Sequence, residues 1–152
     1  MIDTPKDLYD GVILDHSKEP RNFGPLTNPS HYADGRNPIC GDEIAVFLQT
    51  KGDAFSAFAF SGQGCAISKA SASLMTEDLR NRPTEQAKER AIEILQALGQ
   101  EVNGDPFERY GDLGALTAVR RYPARLKCAT LAWHTFLAAL AGEATASTEK
   151  PK

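Results

Sequence analysis

The sequence predicts an α+β fold: a small antiparallel β-sheet of about three strands with helices packed on one face. Two patterns and one bound carry that expectation. Ile44, Val46 and Leu48 alternate with Ala45, Phe47 and Gln49, a Lys51-Gly52-Asp53 turn follows, and Phe58 and Phe60 lie in a second extended run, which together predict a β-hairpin. Apolar residues at helical spacing flank the hairpin on both sides, in stretches opened by Pro5, Pro83 and Pro123. The 152 residues, 41% hydrophobic and 24% charged, suffice for one folded domain with its own core and fall short of two.

Thr4 before Pro5 reads as an N-cap with proline in the first turn, and Leu8, Val12 and one of Ile13 or Leu14 then recur at helical spacing, so a first amphipathic helix is expected over about 5–16. Pro20, Gly24, Pro25, Asn28 and Pro29 break it and give a loop to about residue 31. After the hairpin, Gly62-Gln63-Gly64-Cys65 leads into small residues from Ala66 to Ser73 and then Leu74, Met75 and Leu79. This predicts a helix with its N-terminus at Cys65 and room for close packing. A further helix is expected over Thr84 to Leu98 with Gly99 as its stop, then irregular chain over 103–111, a short element at 112–118, and a last helix from Pro123 to Gly142. The tail from Glu143 to Lys152 is polar and expected to fray.

Composition narrows the function. No apolar run approaches the roughly 18 residues of a membrane span, and the first residues lack the basic start and apolar stretch of a secretory signal. A net charge of −3 gives no global attraction to nucleic acid and no polybasic membrane patch. Three cysteines cannot all pair within one chain, so a reducing, cytoplasmic setting and thiol or metal chemistry are expected instead of a disulfide framework.

Those cysteines, Cys40, Cys65 and Cys128, sit in Pro38-Ile39-Cys40-Gly41-Asp42, Gly62-Gln63-Gly64-Cys65-Ala66 and Arg125-Leu126-Lys127-Cys128. The hairpin brings the first two to one sheet edge. In extended backbone, residues i and i+2 share a face, so Cys40 and Asp42 could grip one ion together, with Gly41 leaving the loop mobile. Three thiolates and a carboxylate form a four-ligand set that suits zinc, and the same sulfurs could hold an iron-sulfur cluster. Standing alone, Cys65 would read as a small buried residue in a tight turn and Asp42 as a turn or cap residue. His16, His31 and His134 are scattered and are assigned structural hydrogen bonds or exposure, and Trp133, Phe136, Leu137 and Leu140 are assigned to the core. Arg120, Arg121, Arg125 and Lys127 cluster near Cys128, where positive charge favours a thiolate or an acidic partner surface.

Three segments, Asn37-Pro38-Ile39-Cys40-Gly41-Asp42, Gly62-Gln63-Gly64-Cys65-Ala66-Ile67-Ser68-Lys69-Ala70-Ser71-Ala72-Ser73 and Pro123-Ala124-Arg125-Leu126-Lys127-Cys128-Ala129-Thr130-Leu131-Ala132-Trp133, resemble the SufU-like branch of the IscU/NifU N-terminal iron-sulfur cluster assembly family. Leu8 to His16 and Pro20-Arg21-Asn22 extend the resemblance over roughly residues 6–140. Scaffold members of that family usually carry His before the last Cys and a Leu-Pro-Pro-Val-Lys segment. This chain has Lys127 and Tyr122-Pro123-Ala124-Arg125 instead. Residues 83–111 resemble the helical insertion of the SufU-like branch, within a single domain over 1–142 followed by a flexible tail at 143–152.

The resemblance implies an IscU/SufU-like fold. It also implies a zinc-dependent sulfur acceptor, a sulfurtransferase that takes persulfide sulfur from a SufS-like, pyridoxal-phosphate (PLP)-dependent cysteine desulfurase and delivers it to iron-sulfur cluster assembly on a downstream scaffold or apo-proteins. By motif position the zinc ligands are Cys40, Asp42, Cys65 and Cys128, with Cys40 also the sulfur acceptor and Arg125 steadying the site or meeting the desulfurase. The alternative is a scaffold on which a 2Fe-2S cluster is assembled, with iron or that cluster in place of zinc.

Overall fold

A computed structural model describes the backbone of residues 5–38, 41–99, 110–121 and 123–147. Three antiparallel strands are built around the expected hairpin: β1 His31–Asn37, β2 Asp42–Lys51 and β3 Ala54–Gln63. Alternation sets the register. Ile44, Val46 and Leu48 are buried along β2 and Phe58 and Phe60 along β3, while Ala45 and Phe47 on the other face stay half-exposed. The helices α1 Pro5–Lys18, α2 Ala66–Leu79, α3 Thr84–Gly99 and α4 Pro123–Leu140 complete the fold with a 3-10 segment, Gly111–Arg121. α4 lies against β1 and β2, and its Phe136 stacks on Phe58 with ring centroids 5.4 Å apart.

Two elements differ from expectation. β1 was not anticipated as a strand, and β4, Thr145–Ser147, forms within the tail expected to fray, pairing in parallel with Asp34–Arg36. The sheet therefore has four strands in the order β3-β2-β1-β4. The backbone N–H of Asp34 donates to the Ala144 carbonyl at 2.9 Å, which satisfies part of the β1 edge. Most of the stretch expected to be irregular, along with residues 148–152, lies outside the described residues.

α2 is buried almost all round, and its serines satisfy their hydroxyls on neighbouring elements. Trp133 Nε1 donates to Ser71 Oγ at 2.9 Å, and Ser71 donates to the carbonyl of Ala129, both on α4. Ser73 Oγ lies 2.7 Å from His16 Nδ1 on α1 and accepts the Arg21 N–H at 2.8 Å. α3 is tied to the end of α2 by Arg90, whose Nε and a second guanidinium nitrogen reach Asp78 at 2.9 and 3.3 Å. Among the described residues no helix is long and apolar enough to cross a membrane.

Candidate metal centre

Three elements meet at one corner of the fold: the first residue of β2, the N-terminus of α2 and the second turn of α4. They bring together Asp42, Cys65 and Cys128, whose ligand atoms all lie within 4.8 Å of one another. Asp42 and Cys128 are each 2% exposed, and Cys65 is half-buried.

The chain has to be shaped closely to achieve this. Gly64 precedes Cys65, and a Cβ there would sit 2.5 Å from Asp42 Oδ1, so only glycine lets the approach to α2 pass the carboxylate. Asn37 and Asp42 pair across the β1–β2 connection, where the Gly41 N–H bonds to the Asn37 carbonyl at 2.8 Å. Gly41 has φ +75°, a left-handed conformation that turns the chain. Gly41 is therefore not in the extended conformation from which a shared face for residues 40 and 42 was expected, and Cys40 itself lies outside the described residues.

Asp42 is held on both carboxylate oxygens. Oδ1 accepts the Cys65 backbone N–H at 3.0 Å, and Oδ2 accepts the Ser68 hydroxyl at 2.6 Å. Cys65 is the N-cap of α2 and makes no side-chain cap of its own, so a carboxylate from β2 satisfies that N–H. On the far side, Asn37, fully buried, points its amide nitrogen at Cys128 Sγ across 3.9 Å. Such a donor stabilises negative charge on sulfur.

The donor chemistry fits a tetrahedral ion of borderline softness. With sulfur at about 2.3 Å and oxygen at about 2.0 Å, such an ion has ligand–ligand edges of about 3.5–3.8 Å. Cys65 Sγ and Asp42 Oδ2 stand 3.8 Å apart. Cys40, expected as the fourth ligand, lies outside the described residues. Arg125 is exposed in the first turn of α4, about one helical turn before Cys128. Among the described residues no histidine joins the group.

Reasoning from the sequence missed Ser68 and Asn37. Ser68 stood among the small residues expected to allow close packing, and Asn37 was given no role of its own. Both stand in segments that carry the family resemblance, three residues after Cys65 and three before Cys40, and that placement is the signal the sequence holds for them.

The NifU-like N terminal domain family matches residues 8–140. A zinc-dependent sulfurtransferase SufU of Bacillus subtilis is 43% identical over 126 residues, covering 83% of this chain and 84% of the relative. An iron-sulfur cluster assembly scaffold protein IscU of Streptococcus pyogenes is 34% identical over 142 residues, covering 91% and 86%. Among solved structures, one described as an iron-sulfur cluster assembly scaffold protein for the SUF system of Fervidobacterium islandicum aligns with a TM-score of 0.78 and 31% identity, over 88% of this chain and 96% of that one.

Proposed function

Since the chain belongs to the NifU-like N-terminal domain family, we propose that it serves iron-sulfur cluster assembly as a zinc-dependent sulfur acceptor, receiving persulfide sulfur from a PLP-dependent cysteine desulfurase in the cytoplasm. The observation that carries the reading is the convergence of Asp42, Cys65 and Cys128 into one donor set with the carboxylate pinned on both oxygens. The SufU relative, named as a zinc-dependent sulfurtransferase, supports it. So does Lys127, which stands where a histidine would add a cluster ligand.

Asp42, Cys65 and Cys128 would hold the zinc, with Cys40 as fourth ligand. Chain connectivity keeps the Cα of residue 40 within about 7 Å of that of Asp42. Zinc, when bound, keeps coordinating thiols deprotonated and brings no redox chemistry of its own. Cys65 and Cys128 are anchored on helices, whereas Cys40 belongs to the β1–β2 connection, and this makes it the thiol suited to transfer. Its thiolate attacks the outer sulfur of the persulfide on the desulfurase. A new sulfur–sulfur bond forms on Cys40, the old one breaks, and the partner cysteine leaves as thiolate. Arg125, exposed about one helical turn before Cys128, would offer positive charge to the approaching partner.

The second reading, a scaffold for a 2Fe-2S cluster, is favoured by the relatives named as IscU scaffold proteins. Metal and sulfide analysis of protein purified without oxygen, followed by desulfurase, cysteine and a persulfide-trapping label, separates the two. About one zinc per chain with label on Cys40 is the expected result. Stoichiometric iron and sulfide with no labelled cysteine would replace the sulfur-acceptor reading by the scaffold.

A further inference from the structure

We propose that Ser68 is the positioning residue for Asp42, setting the orientation in which that carboxylate meets a metal ion shared with Cys65 and Cys128; the inference rests on the metal-site reading above. Ser68 is the third residue of α2 and is completely buried. Its single hydroxyl touches all three residues of the cluster. It lies 2.6 Å from Asp42 Oδ2, 3.3 Å from the Cys128 carbonyl oxygen and 4.0 Å from Cys65 Sγ.

A serine has one proton to donate, and the shorter, charge-assisted contact to the carboxylate takes it in preference to the neutral carbonyl. With Oδ1 bonded to the Cys65 N–H and Oδ2 to Ser68, the carboxylate plane cannot turn about its Cβ–Cγ bond without breaking one of the two. A carboxylate oxygen accepts more than one bond, so this restraint is compatible with ligation and fixes its direction. Packing alone does not require a hydroxyl here, since alanine occupies neighbouring buried positions of the same helix at Ala70 and Ala72. Ser71 and Ser73 direct their hydroxyls to α4 and α1, whereas Ser68 directs its own to the cluster.

The test is a cycle of four full-length proteins: wild type, Ser68→Ala, Asp42→Ala and the double variant. Zinc and cobalt(II) affinity is read by competition with a chromophoric chelator without oxygen, and far-UV circular dichroism checks the fold. Ser68→Ala is expected to weaken binding by about 10–100-fold, with thiolate-to-cobalt charge-transfer absorption retained at saturating cobalt. It is expected to cost nothing further in the Asp42→Ala background. Ser68→Thr, which keeps the hydroxyl, is expected to restore the affinity. Unchanged affinity in Ser68→Ala, or an equal loss in both backgrounds, would overturn the assignment and leave Ser68 a packing residue. A wild-type chain that binds neither metal would overturn the metal reading and this inference together. Absence of persulfide transfer would overturn the sulfur-acceptor reading alone.

Discussion

Asp42 Oδ1 accepts the backbone N–H of Cys65 at 3.0 Å, so the first residue of β2 closes the N-terminus of α2. One carboxylate thus joins sheet to helix and also stands in the donor cluster. The two roles separate by substitution. Asp42→Ala removes both, and the metal-free protein is expected to lose about 0.5–2 kcal/mol, the usual cost of a missing helix cap. Asp42→Asn keeps an acceptor for the N–H but not the charge, so it should regain most of that stability while still binding metal weakly. Urea unfolding of chelator-treated protein, set beside metal content, reads the two effects. An Asp42→Ala protein with full zinc and full sulfur transfer would contradict the ligand assignment.

Gly64→Ala places a methyl group 2.5 Å from Asp42 Oδ1, where the carboxylate has to move. Metal content is expected to fall sharply, while the cost in stability stays in the 1–3 kcal/mol range typical of overpacking. Gly52→Ala is the matched control. That residue also has a positive φ, +65°, but nothing lies within 4 Å of its Cβ position, so only local strain follows. Equal metal content in the two variants would show that the approach to α2 can shift without disturbing Asp42.

The parts of the fold legible in the sequence are those whose residues repeat with the period of their own element. β2 shows Ile44, Val46 and Leu48 at period two, and α4 shows an apolar surface wide enough to bury Leu131, Trp133 and Phe136. β1 carries no such signal. Its inward positions are Ala33, Gly35 and Asn37, because α4 comes so close that a Cβ on Gly35 would collide with Thr135. Its strand character comes from pairing with β2, which no local pattern encodes. β4 is three residues long and likewise exists through its partner. In the site, cysteine chemistry made Cys65 and Cys128 readable, and Asp42 followed from its neighbours. Ser68 and Asn37 were hidden because their partners, Asp42 and Cys128, lie 26 and 91 positions away in sequence.

Arg90 anchors α3 by gripping Asp78 with two nitrogens, and the aromatic ring of Tyr110 lies 5.4 Å from its guanidinium carbon. Both side chains of the pair are 16% exposed, so water screens them little. Arg90→Ala leaves Asp78 with Arg82 as a remaining partner at 3.1 Å. A loss of about 1.5–3 kcal/mol, the range for hydrogen bonds to charged groups, is expected in urea unfolding. Zinc content should stay unchanged, because the pair does not touch the cluster. A loss below about 0.5 kcal/mol would place Arg90 with surface ion pairs of negligible weight.

Burial, reinforced by the positive charge of Arg21, holds the His16 imidazole below its ordinary value of 6.5, while Asp15, Asp112 and Glu77 oppose the shift without cancelling it. Since the folded state resists the proton, the unfolded chain gains it first as pH falls below about 6.5. The stability of the neutral form is therefore complete above that value and lost as pH falls toward the depressed folded value. The slope is at most about 1.4 kcal/mol per pH unit for one proton. His16→Gln keeps a polar group opposite Ser73, removes the titration, and should flatten stability between pH 7.5 and 5.5 relative to wild type. Measuring both as metal-free proteins lets the other titrating groups cancel in the difference. Identical pH slopes would mean that His16 takes up its proton within the fold as readily as in the unfolded chain, and that its contact with Ser73 tolerates the charge.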